Sequence, residues 1–343
     1  MSIRNSLLLL LIMILAACGT PTFTPTLTLL PADTPNPPTA TLAPTPTEKV
    51  WTYKDMVVGF IQPGSESGWR AANTASFKQI AEELGITLKF SDAMFPVSEK
   101  AFTSFLADEE VNVIVLDAIE STGWEDLLRE ARDAGKIVIL EDRRIDAPED
   151  LYATLVSNDF AEEGRKAGRA MVELLEGSDK KNIVEIAGIV GAGAAIDRAE
   201  GFRQAIEGSG IEITQSQVGN FIKYDGKAAM AAILKESTDI QGVFAQNDDM
   251  GLGAIEAIKE AGLRPGVDIK IVSIDATAGA FEAMLAGELN VSVECSPLLA
   301  PQVYEAALRA LNGEDLPKFI AVNETVFYAD MPNLAEIAEG RKY

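Results

Sequence analysis

The chain of 343 residues contains no histidine. That excludes a Ser-His-Asp triad, a Cys-His pair, histidine-ligated zinc and a histidine proton shuttle. Cysteine is nearly absent too. Cys18 and Cys295 are the only two, too few for a disulfide framework or a four-cysteine zinc site. Positive charge is scarce: 29 Lys plus Arg stand against 52 Asp plus Glu, a formal charge of -23. This argues against a non-specific grip on nucleic acid, or an anionic membrane face held through basic residues. What is present is globular, with 47% apolar and 24% charged residues. The length suggests one bilobal domain or two domains. No catalytic residue, metal or cofactor is expected.

The first residues read as a targeting segment. Arg4 precedes an apolar run over 7–14, shorter than the roughly 20 residues a spanning helix needs, so residues 1–17 are expected to be a signal peptide. Leu15-Ala16-Ala17-Cys18 resembles a bacterial lipobox, which implies cleavage before Cys18 and a lipid on its sulfur; an ordinary signal with a chance cysteine is the alternative. Several acyl chains make anchoring stable, at about 0.8 kcal/mol per buried CH2. Positions 19–49 carry 8 of the chain's 16 Pro, and 10 Thr. Such a stretch buries no core and favours extended geometry, so 18–49 is expected to be a tether outside the cytoplasm. It also suits O-glycosylation.

From residue 55 short apolar runs alternate with helical patterns. Strands are expected at 56–61, 88–91, 113–116, 137–140, 153–157, 182–186, 212–218, 242–245, 269–274 and 290–294. Helices are expected over 71–84, 161–175 and 249–261, the first burying Ala75, Ile80, Ala81 and Leu84. Gly85, Gly135, Gly177 and Gly262 end helical stretches. The alternation reads as βαβ units around parallel sheets, four units over 55–150 and a second set over 160–287. A strand, a helix and a strand pair near 319–327 follow. The expected fold is α/β, two doubly wound lobes facing each other across a cleft. Residues 50–157 plus 295–322 would form one lobe and 158–294 plus 323–343 the other.

Ligands of such sheets bind beyond the carboxyl ends of strands. Those positions hold Gln62, Glu66, Trp69 and Arg70; Asp117; Asp142 and Arg143; Arg198; Phe221; Asn247; Asp275; and Cys295. Carboxylates, amides and guanidinium forks match vicinal hydroxyls, and rings cover a sugar's C–H face. Bland readings stand beside this one. Asp142-Arg143 suits an ion pair, Asn247 and Asp248 suit a helix cap, Trp69 suits core packing, and Asp197-Arg198 suits a surface pair. Gly191-Ala-Gly193 has the spacing of a dinucleotide loop, but the third glycine position is Ile196; tight helix–sheet approach explains it better. With 52 acids, a glycosidase-like carboxylate pair is a weak signal.

Residues 55–325 resemble the type 1 periplasmic sugar-binding proteins of ABC importers, the group that includes ribose-binding protein. The motifs are Val138-Ile-Leu-Glu-Asp142-Arg143, Asn158-Asp159 with Glu163-Gly164, Ala194-Ala-Ile-Asp-Arg198-Ala-Glu-Gly201-Phe202, Phe244-Ala-Gln-Asn247-Asp248 and Val272-Ser-Ile-Asp275. Gly59-Phe-Ile-Gln62, Glu66-Ser-Gly-Trp69-Arg70-Ala-Ala-Asn73, Thr122-Gly-Trp124 and Val293-Glu-Cys295-Ser are similar to the galactofuranose-binding subgroup. The resemblance implies sugar-gripping roles for Asp142, Arg143, Arg198, Asn247, Asp275 and, as an aromatic, Phe221. Ribose-type proteins have adjacent Phe residues in the first-strand loop and Gln where this chain has Cys295, which argues against ribose. Ala276 stands where relatives often have Gly. The implied function is a lipid-anchored, monomeric, extracytoplasmic receptor. It captures a monosaccharide, galactofuranose or a related hexose or pentose, by hinge closure. It then delivers the sugar to an ABC permease. The alternative is a receptor signalling to a membrane kinase. No nucleic-acid partner is implied.

Overall fold

The computed structural model describes residues 49–63, 68–92, 97–341 and 343. The leader, Cys18, the Pro/Thr-rich stretch to residue 48, and Glu66 lie outside the described residues. Two six-stranded sheets organise the rest. The first contains β1 (Val57–Gln62), β2 (Thr87–Asp92), β3 (Val113–Leu116), β4 (Ile137–Glu141), β5 (Thr154–Ser157) and β11 (Phe319–Ala321), in the order β2-β1-β3-β4-β5-β11. The second contains β6 (Asn182–Ala187), β7 (Glu212–Val218), β8 (Gly242–Ala245), β9 (Lys270–Asp275), β10 (Val291–Glu294) and β12 (Val326–Tyr328), in the order β7-β6-β8-β9-β10-β12. Both therefore run outward from a first strand that sits inside the sheet, the doubly wound order.

Helices α1 (Gly68–Leu84), α2 (Val97–Ala107) and α3 (Glu125–Asp133) follow β1, β2 and β3. The second sheet carries α4 (Phe160–Leu174), α5 (Gly193–Ile206), α6 (Lys223–Glu236), α7 (Asp248–Glu260) and α8 (Ala278–Leu285). Then come α9 (Ala300–Leu311) and α10 (Leu334–Gly340). The central strands are buried on both faces: β3 and β8 have no exposed residue, as expected where helices cover a parallel sheet on both sides. Edge strand β7, Glu-Ile-Thr-Gln-Ser-Gln-Val, has no buried residue.

The chain passes between the sheets three times. It leaves the first after β5, since α4 packs on α5, β9 and β10. It returns after β10, since α9 packs on α1, β4 and β5. It leaves again between β11 and β12.

Several expectations need correction. The two strands near 319–327 do not pair with each other. β11 joins β5 in parallel in one sheet, and β12 joins β10 antiparallel in the other. The third crossing runs between them. The first set has three βα units, not four, because only a short 3-10 turn over Glu149–Leu151 follows β4. Helix α1 buries a wider face than expected. Ala81 is buried and Ile80 and Leu84 pack on the core, but Ala75 is exposed, and Asn73, Ser76 and Phe77 are buried too; Phe77 stacks on Phe60 of β1 at 4.0 Å, and polar Asn73 faces inward toward the site. Helix α10 carries no strong signal in the sequence.

Glycine sets how closely helices approach. A Cβ on Gly164 of α4 would collide with the Arg198 carbonyl of α5, and one on Gly201 of α5 would collide with the Ala161 carbonyl of α4. Gly191 instead has φ +86°, the left-handed region that glycine adopts at no steric cost, and Gly193 has open space around it. Tight helix–sheet approach is thus not the reason for Gly191-Ala-Gly193.

Candidate functional site

Between the carboxyl ends of the two sheets lies a cavity of about 350 Å³, its mouth included. The first sheet's side contributes Trp69, Arg70, Asp142 and Arg143. The second contributes Phe160, Ala194, Arg198, Phe221, Asn247 and Asp275, and the crossing segment after β10 contributes Cys295. Nine of the twelve residues expected to bind ligand meet here. Gln62 and Asp117 do not line it, and Glu66 lies outside the described residues.

Gln62 and Asp117 hold the wall from behind. Gln62 is fully buried; its amide donates to Asn73 Oδ1 at 2.7 Å and its Oε1 accepts from Thr74. Asp117, also fully buried, accepts from Arg70 and lies 3.9 Å from Arg143 Nη1. Arg70 spans both acids of this wall, donating to Asp142 Oδ2 at 2.6 Å as well. Beneath them Glu141 is fully buried beside Asn73, whose Nδ2 donates to it at 2.7 Å. Burial, then the neighbouring Asp117 and Asp142 charges, push the Glu141 carboxyl well above the usual range.

Asp142 is placed by its backbone. Its φ is +60°, a conformation Asp tolerates better than most residues. Its carbonyl accepts from Ser157 Oγ. Trp69 is fixed at its polar edge: Nε1 donates to the Cys295 carbonyl at 2.6 Å. The ring carries the Arg70 guanidinium at 4.5 Å. Trp69 thus packs in the core and also lines the cavity. Trp124 packs on Phe102 in the first lobe's core and lines no part of the cavity.

On the opposite wall Arg198 projects from α5. Nε donates to Glu163 Oε2 at 2.7 Å, Nη1 to the Gln246 carbonyl at 2.7 Å, and Nη2 lies 3.5 Å from Asp275 Oδ1. Burial opposes its charge, but Glu163, Cys295 and Asp275 more than offset that and raise its pKa. The Asp197-Arg198 step is not a simple surface pair. Asp197 turns the other way and binds Arg144 of the first lobe at 2.5 Å. Asn247 caps α7, accepting from Met250 N at 3.0 Å, donates to the Phe221 carbonyl at 3.2 Å, and lines the cavity.

Phe221 sits at φ +59° after Asn220 at +53°, and its ring occupies the space where a Gly188 side chain would be. Asp275 has φ +127° and Ala276 +56°. Ala276 thus holds a left-handed position that glycine would fill without steric cost. Burial raises the Asp275 carboxyl well above the usual range, and the neighbouring Arg198 offsets only part of this. Burial likewise raises the Cys295 thiol.

Two lining residues were missed. Phe160, 5.3 Å under the Arg198 guanidinium, opens α4 directly after the first crossing; an aromatic beside Asn158-Asp159 was the available signal. Ala194 is small and carries no chemical signature. The lobes also meet outside the cavity, through Arg144–Asp197 and through Gly68 N donating to Asp249 Oδ2 at 3.1 Å.

The family described as periplasmic binding protein domain matches residues 58–315, and the chain belongs to that family. It is 41% identical over 288 residues to the galactofuranose-binding protein YtfQ of Escherichia coli, covering 82% of this chain and 89% of that one. The periplasmic binding protein component of the arabinose ABC transporter from Shewanella sp. ANA-3, solved with α- and β-L-arabinofuranose, superposes with a TM-score of 0.80. It is 39% identical, covering 84% of this chain and 96% of that one. A Mycobacterium smegmatis protein solved with β-D-fucofuranose gives 0.77 at 41% identity, with coverages of 83% and 97%.

Proposed function

We propose that this periplasmic binding protein captures a monosaccharide, galactofuranose or a related furanose-forming hexose or pentose, and delivers it to an ABC sugar permease. One observation carries the reading. A single small cavity joins rings, guanidinium groups, carboxyl groups and an amide from both lobes. Trp69, Phe160 and Phe221 offer apolar faces to a sugar's C–H surface. Arg70, Arg143 and Arg198 donate, Asp142 and Asp275 accept, and Asn247 does either. A ligand touching both walls stabilises the closed arrangement, because it makes its full set of contacts only there. The relatives' furanose ligands support the ring form. No bond is made or broken, so the protein acts as a receptor and not as an enzyme.

In this proposal residues 50–157 plus 295–322 move against 158–294 plus 323–343, and the three crossings serve as the hinge. The receptor works as a monomer, held outside the cytoplasm by a lipid on Cys18 after removal of residues 1–17. Calorimetry against galactose, arabinose and ribose tests the ligand. One site is expected, with galactose or arabinose favoured over ribose; no heat with any pentose or hexose overturns the sugar reading. Cys18→Ser tests the anchor. It should move the protein from the membrane fraction to the soluble one, and an unchanged distribution contradicts lipidation there.

A further inference from the structure

Two acids that do not line the cavity stand behind Arg198. Glu163, in the first turn of α4, is fully buried. Its Oε2 accepts from Arg198 Nε at 2.7 Å, and its Oε1 has no donor among the described residues. Glu324 lies on the third crossing with its side chain 2% exposed. Its Oε1 accepts the backbone N–H of Asp159, on the first crossing, at 3.1 Å, and its Oε2 accepts from Lys166 Nζ at 3.0 Å. The two carboxyl groups are hydrogen-bonding neighbours. Two adjacent buried carboxylates cannot both ionise without large cost. A proton between them gives Glu163 Oε1 the donor it lacks.

We propose that Glu324 keeps a proton and donates it to Glu163 Oε1, so that the two form a positioning pair that ties the ligand-facing Arg198 to the first and third crossings between the lobes. Charges of both signs surround the pair. Lys166 on α4 and Arg198 on α5 bring two positive charges; Asp159 before α4 and Asp275 at the end of β9 add negative ones, and the buried Cys295 thiol lies beyond Arg198. Burial first, then the Glu163 charge, push the Glu324 carboxyl far above its ordinary range, and Lys166 offsets only part of this. Loss of the shared proton sets two like charges against each other. Arg198 then loses its fixed partner and the two crossings lose their common anchor.

The binding part of this inference rests on the proposed sugar grip of Arg198; the shared proton does not. Infrared difference spectroscopy of the ligand-free full chain near neutral pH reads the proton directly. Glu163→Gln and Glu324→Gln should each remove one neutral-carboxyl stretch, and the same one, because each leaves the remaining partner ionised. Retention of every such band in either variant overturns the shared proton. If a variant does not fold, the wild-type band should vanish between about pH 8 and about pH 10 with the amide bands unchanged; persistence overturns the proposal equally. Galactose titration supplies the coupling. Its Kd should rise about tenfold or more over that interval in the wild type, and less than about threefold in Glu324→Gln. Equal slopes contradict a link to Arg198. No galactose binding at any pH indicts the sugar reading and leaves the infrared result to decide the proton.

Discussion

Arg198 is the residue on which most of the second wall depends. Its three nitrogens reach Glu163, the Gln246 carbonyl and Asp275, so its position is fixed before any ligand arrives. Arg198→Ala should weaken galactose binding by about 2–5 kcal/mol, read by calorimetry; an unchanged affinity removes it from the site. Cys295 is buried and its thiol is raised above the usual range, so little thiolate forms. Its alkylation near pH 8 should be at least about a hundredfold slower in the folded chain than in denaturant; rapid labelling of the folded chain contradicts its burial. The sequence revealed these residues because polar and aromatic types stood after strands. It did not reveal that Gln62 turns toward Asn73 and away from the cavity, since a strand-end amide can face either way. Ala194 was invisible because its contribution is only its small size.

Helices α4 and α5 meet through glycines, and this contact holds Arg198 over the cavity. Gly164→Ala places a methyl group against the Arg198 carbonyl. The expected cost is about 1–3 kcal/mol of stability, seen as a lower Tm, with a weaker galactose affinity as α5 shifts. Equal Tm and affinity contradict the tight approach. At the start of α7, Asp248 binds Ser273 of β9 at 2.5 Å, Ser292 of β10 at 2.8 Å, and Thr277 before α8 through both its N–H at 2.7 Å and its Oγ1 at 3.0 Å. Burial still pushes its carboxyl up to about 6. Folding therefore takes up a proton between the ordinary carboxylate range and that value. The contribution favouring the fold is present at lower pH and is lost as pH rises through about 6. Denaturant titrations should show wild type losing stability relative to Asp248→Asn between about pH 4 and about pH 7, by on the order of 3 kcal/mol. A constant difference contradicts this. The alternating pattern announced the elements themselves. The inward face of α1 was only partly foreseen because it includes polar Asn73 and Arg70, which an apolar-spacing argument counts as outward.

For the whole molecule, the two-lobed architecture was legible from the repeated strand–helix alternation. The strand partners of β11 and β12 were not, because two short adjacent strands carry no mark of which strand each pairs with. Arg144–Asp197 and Gly68–Asp249 join the lobes beside the cavity. Both are peripheral, and an ion pair whose arginine is exposed contributes about 0–1 kcal/mol, so the ligand must supply most of the difference between open and closed forms. Small-angle scattering of the wild type and Arg198→Ala, with and without saturating sugar, tests this most directly. The account requires the radius of gyration of the wild type to fall on sugar addition and that of Arg198→Ala to stay the same at equal sugar concentration. Saturation by calorimetry with unchanged wild-type scattering would contradict it.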